Sequence, residues 1–87
     1  MRKPIVSSLG NLTLQEARAY LRVAGGDELS AAISLALDRN LLEGLDKLPD
    51  ETEIHHALFL LCRARGLEAP SFDTMRVELR ARRVLAA

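Results

Sequence analysis

Arg76, Arg80 and Arg83 recur at three- and four-residue spacing near the end of this 87-residue chain. On a helix, that spacing lines up all three guanidinium groups on one side. A guanidinium pairs with phosphate oxygens, and its planar fork can pair with both acceptors on a guanine edge. Pro70-Ser71 stands where such a helix would open, with Ser71 as its cap and Asp73 complementing the positive end of the dipole. Residues early in the helix, including Arg76, Val77 and Arg80, are then expected near base edges. Arg63, Arg65 and an Arg2-Lys3 arm are expected on phosphates, which fix register without reading sequence. Asp73 opposes this reading by repelling phosphate, although a carboxylate can accept from a cytosine amino group. The plainer alternative is an amphipathic surface helix whose arginine side is solvated.

Other reactive side chains assemble less. Adjacent His55 and His56 project about 100° apart on a helix, so they cannot chelate one ion together. Glu51 precedes His55 by one turn and is expected to pair with it. Cys62, the single cysteine, lies in an apolar helix and is expected to be a buried, inert thiol. It leaves no partner for an internal disulfide. Gly25-Gly26 lacks the lysine and further glycines of a phosphate loop. No nucleophile, base and orienting group can be assembled, so neither an enzyme, a metal site nor a cofactor is expected.

Four helices must position these residues, at about 13–24, 27–43, 51–65 and 71–85, after an irregular arm over 1–12. Thr13 with Glu16, and Asp50 with Glu53, have capping-box spacing. Asp27 can cap the second helix. Gly25-Gly26, Gly44 and Gly66 supply stops, with Leu67 folding back in a Schellman-type contact. Leu14, Ala17, Leu21 and Ala24 form one apolar face. Leu29, Ile33, Ala36, Leu37 and Leu41 form another, widened by Leu35 and Leu42. Leu45 or Leu48 in the connector is expected to tuck onto the core. Ile54, Ala57, Leu58, Leu61 and Cys62, with Phe59 and Leu60, make the third helix apolar nearly all round and so the most buried. Phe72, Met75 and Leu79 face inward from the fourth. The expected fold is all-α: one compact four-helix domain over 1–87 with a C-terminal helix-turn-helix.

Composition bounds the function. The chain is 48% hydrophobic, enough for a core. It is only 3% aromatic, with Tyr20, Phe59 and Phe72, which argues against stacking single-stranded nucleic acid. The formal charge is zero but uneven. Residues 13–53 carry nine acids against four bases, and residues 54–87 carry six bases against three acids. A local basic face survives that neutral total. No apolar stretch follows Arg2 and Lys3 as in a secretory signal, and the run from Ala57 to Cys62 is too short to span a bilayer. A cytoplasmic protein without membrane contact is the expectation.

From Ile54 to Leu79 the pattern I-x-x-A-L-x-x-x-C-R-A-R-G-L-x-A-P-S-x-x-T-M-R-x-x-L resembles the N-terminal helix-turn-helix of bacteriophage Mu-like DDE transposases. The matching residues are Gly66, Leu67, Pro70, Ser71, Thr74, Arg76 and Leu79, with Met75 in place of the usual valine. The resemblance implies duplex DNA binding by the fourth helix, as in a small bacterial transcription regulator. It implies no transposase activity, since there is no room for a catalytic domain. Residues 9–37 resemble, in a second way, the ubiquitin-associated (UBA-like) helical fold. Leu9-Gly10-Asn11 stands where that fold has an aromatic-containing loop, and Gly26-Asp27 at its later turn. That resemblance implies a protein-interaction module or adaptor with no nucleic acid. A leucine-rich patch left bare by four short helices would make a homodimer, reading two half-sites if the chain binds DNA, and would bind a larger protein partner if it does not.

Overall fold

Local capping chemistry sets three of the four helix starts. The computed structural model describes residues 12–86, with side chains through Arg82. It contains α1 (Leu14–Val23), α2 (Glu28–Leu42), α3 (Glu51–Ala64) and α4 (Phe72–Ala86), and no strand among the described residues. The fold is all-α. The expected arm, including Arg2, Lys3 and Leu9-Gly10-Asn11, lies outside the described residues apart from Leu12, as does the side chain of Arg83.

Thr13 and Asp50 form full capping boxes. Each side chain accepts from the backbone N–H three residues on, and Glu16 or Glu53 accepts in return from the cap's own N–H. These pairs satisfy donors that a helix start otherwise leaves orphaned. Ser71 does similar work for α4, its hydroxyl accepting from the Thr74 N–H at 3.2 Å. Asp27 stands at the N-cap of α2 but makes no side-chain capping bond. Its carboxylate turns instead to the Ser30 hydroxyl, 2.7 Å away, and to Arg82.

The ends of α1, α2 and α3 follow one device. Leu67 N–H donates to the Cys62 carbonyl at 2.8 Å and Gly66 N–H to Arg63 at 3.0 Å, the two bonds of a Schellman motif. Gly66 sits at φ 74, a left-handed conformation that a side chain would strain. The same bond pair closes α1 at Gly25-Gly26 and α2 at Gly44-Leu45.

The core lies where α2 packs on α3, with α1 laid over α2 and α4 held mainly by α3. Leu35, Leu61 and Met75 are its largest fully buried side chains. Ala17, Ala31, Ala32, Ala36 and Ala57 are buried with them, and these small residues let the helices approach closely. Most inward faces read from the periodicity are present: Leu29, Ile54, Leu58, Leu79 and Cys62 are buried, and Phe72 packs against them.

The end of α2 and its connector depart from expectation. Leu41, Leu42, Leu45 and Leu48 are all exposed, Leu48 by 80%. Helical phase puts Leu41 and Leu42 beside the core stripe, but no described element covers that end. Buried Asn40 anchors the connector instead, donating from Nδ2 to the Lys47 carbonyl at 3.3 Å. Leu14 and Phe59, expected inside, are also exposed.

Candidate interaction surface

The fourth helix carries its arginines as the spacing requires, but each one described faces a carboxylate. Arg76 lies 3.2 Å from Asp73, one turn back, with its guanidinium 5.5 Å from the Phe72 ring centroid. Arg80 reaches Glu51 of α3 at 3.5 Å. Arg82 grips Asp27 by donating from both Nη1 and Nη2 and lies 3.9 Å from Glu78. Arg65, in the segment between α3 and α4, meets Glu28 at 2.5 Å. Four acids from residues 27–73 are thereby committed to arginines from residues 65–82. The uneven charge of the sequence is largely evened out inside the fold.

The pairs differ in how much water reaches them. Asp27 and Arg82 are each about one-third exposed, and the arginine holds the Asp27 carboxyl well below the usual carboxylate range, with the Ser30 hydroxyl adding to the effect. Arg65 and Glu28 are likewise partly buried. Arg80 remains 62% exposed in its side chain, and Asp73 is mostly in water. Exposed pairs of that kind stabilise little and exchange partners readily. Val77, 68% exposed, lies beside them on the solvent side of α4. Ser71 is exposed but committed to Thr74. Arg63 is exposed on α3 with no described carboxylate in ion-pair range.

The histidines are placed by packing. His55 donates from Nε2 to the Pro70 carbonyl at 3.0 Å and meets the Phe72 ring edge-on, with centroids 5.6 Å apart. It therefore pins the start of α4 to α3, and Glu51, expected as its partner, goes to Arg80 instead. His56 stands on the solvent side of α3. Partial desolvation and the nearby charges of Arg39 and His55 push its pKa down. Cys62 is buried, and that burial pushes its thiol up, as for an unreactive cysteine.

Spacing alone did not single out the α1 surface. Leu14, Arg18, Leu21 and Arg22 of α1, with Gly25-Gly26, Arg65 and Leu67, line an open depression of about 650 Å³. Leu14 is 42% exposed and Leu67 49%. No described carboxylate lies in ion-pair range of Arg18 or Arg22. The available signal was the pair of arginines four apart among leucines. It was obscured because Leu14 and Leu21 also satisfy a core stripe. On another side of α1, Leu12, Glu16, Tyr20, Asp38, Leu41 and Leu42 line a depression of about 370 Å³. There the Tyr20 hydroxyl donates to Asp38 at 2.6 Å, and burial together with that carboxylate pushes the phenol up.

Neither a family model, a curated protein nor a solved structure matches this chain.

Proposed function

We propose that this chain is a non-enzymatic protein-interaction module that docks through its first two helices. One observation carries the reading: α1 and α2 leave Leu14, Val23, Leu41 and Leu42 in solvent, while the described arginines of α4, Arg76, Arg80 and Arg82, each face a carboxylate of the same chain. Exposed leucines flanking defined depressions are a common feature of docking surfaces. The only described thiol is buried, and His55 is held by a backbone carbonyl, so neither is poised as a nucleophile or base. The UBA-like resemblance of residues 9–37 points the same way.

A photo-cross-linking residue at position 14 or 41 tests this in cells of the source organism. Nuclease-resistant adducts with one protein, absent when the probe sits at position 52 on exposed α3 surface, are expected. Adducts only to nucleic acid, or none above the control, overturn the reading.

Duplex DNA binding by α4 is the second reading. It is favoured by the solvent-facing set Arg76, Val77 and Arg80 following the Ser71 cap, and by the Mu-like resemblance of residues 54–79. Its test is a mobility-shift titration of the chain and of an Arg76→Ala, Arg80→Ala double variant. A duplex shift lost in the variant supports it, and an identical shift or none rejects it. A symmetric dimer reading two half-sites belongs to this second reading.

A further inference from the structure

We infer that the depression between α1 and the α3–α4 segment receives an acidic amphipathic helix from a partner protein. This assignment rests on the protein-interaction reading and names the partner's chemistry. Its floor is apolar: Leu14, Leu21 and Leu67. Its rim is cationic: Arg18 and Arg22 of α1 on one wall and Arg65 on the other, with no carboxylate among the lining residues. Arg65 is already engaged by Glu28 and so stands as a fixed wall. Arg18 and Arg22 have no described carboxylate in range and are the cations left to a ligand.

The spacing selects a helix. Arg18 and Arg22 lie four residues apart in α1, a rise of about 6 Å. Carboxylates at i and i+4 of a second helix repeat at the same rise, so two ion pairs form in register when the helices run side by side. The leucines of that helix, on the adjoining stripe, then cover Leu14 and Leu67. Apolar anchors at i, i+3, i+4 and i+7 seated in a groove are a recurrent mode of peptide recognition. Gly25 and Gly26 line the groove where α1 ends and put no side chain into it. A phosphate backbone would satisfy the arginines equally well but has no apolar stripe for the three leucines. The combination of rim and floor therefore favours an acidic protein segment over a nucleic acid.

The experiment uses the full chain and fluorescently labelled probes read by anisotropy. One probe is a synthetic helix of about four turns with a leucine stripe flanked by glutamates at i and i+4. The second has every glutamate replaced by glutamine, and the third is a short DNA duplex. The acidic peptide should bind saturably and more weakly as salt rises. The glutamine peptide should bind about fivefold more weakly or worse, as loss of two rim ion pairs implies. Arg18→Gln with Arg22→Gln should reduce acidic-peptide affinity by a similar factor while leaving helicity and melting temperature unchanged. Equal binding of the two peptides, no binding of the acidic one, or binding unaffected by the arginine replacements overturns the assignment. So does displacement of the acidic peptide by duplex. Protein adducts through position 41 alongside failure of the peptide would remove this groove and leave the interaction reading standing. Absence of protein adducts from both positions removes the reading beneath it.

Discussion

Arg82 of α4 holds both carboxylate oxygens of Asp27, the residue at the N-cap of α2, fifty-five positions earlier in the chain. This fork joins the last helix to the start of the second, whereas α4 otherwise leans on α3. It also explains why Asp27 does not cap α2 with its side chain. The carboxylate still lies near the positive end of the helix dipole while serving the arginine.

Arg82→Met should destabilise the domain by about 1 kcal/mol, because a third of each side chain stays in water and screens the pair. That corresponds to a fall of roughly 4–8 °C in melting temperature for a domain of this size. The pH dependence follows from the lowered Asp27 pKa. The contribution is complete above the ordinary aspartate value of about 4 and is lost as pH falls toward the depressed folded value. Asp27→Asn should therefore lower stability at neutral pH, and its gap from the wild type should narrow on acidification. Denaturant titrations at several pH values check this. A gap that stays constant means that the carboxylate charge contributes nothing.

Leu61→Ala should cost about 2–5 kcal/mol, since Leu61 is fully buried at the α2–α3 contact. Leu48→Ser should change stability by less than about 0.5 kcal/mol, because Leu48 is almost wholly exposed in the connector. Paired chemical melts decide whether the connector leucine tucks onto the core, as its place in the sequence suggested, or lies outside it.

The contrast between Leu61 and Leu48 marks what the sequence could and could not reveal. Helix limits were legible to within a residue or two because their signals are local. Thr13 with Glu16 and Asp50 with Glu53 act across three residues, and Gly66 with Leu67 needs only the turn before it. Ser71 and the inward set Phe72, Met75 and Leu79 were legible for the same reason. What periodicity cannot supply is the covering element, so Leu41 and Leu42 read as core and lie in solvent. Charge pairing is longer-ranged still. The stripe of Arg76 and Arg80 is visible in the spacing, but Glu51 and Asp27 become neighbours of α4 only after folding. Arg18 and Arg22 were hidden for a related reason, since their lack of a described acidic partner is a property of the tertiary structure.

His56 should titrate below the ordinary histidine value of about 6.5, because desolvation and the charges of Arg39 and His55 oppose its protonation. Below that pH the unfolded chain binds a proton that the fold resists, so stability declines as pH drops through the unfolded value. His56→Gln should remove that slope. Arg39→Met should raise the His56 pKa by withdrawing a neighbouring cation, and it also removes a guanidinium whose Nε and Nη1 are buried with no hydrogen-bond partner among the described residues. Denaturant titrations at several pH values read the slope and its loss in His56→Gln, NMR titration of the imidazole resonances reads the His56 shift, and an unmoved His56 in Arg39→Met excludes the electrostatic link.

Tyr20 is the single tyrosine, so its ionisation can be followed by ultraviolet absorbance without interference. Burial comes first and the Asp38 hydrogen bond second in pushing its pKa above the ordinary value of about 10. The hydroxyl must keep its proton to donate, so its contribution is intact below about pH 10 and is lost as pH rises through the folded value. The native chain should show delayed phenolate absorbance, with the ordinary value restored in denaturant. Asp38→Asn should lower the native value by removing the charge and weakening the acceptor. Tyr20→Phe should cost about 1 kcal/mol at neutral pH, since it leaves Asp38 half-buried with one partner fewer. If the phenol instead ionises normally in the folded chain, Tyr20 is not held against Asp38, and the acidic depression between α1 and α2 loses its fixed wall.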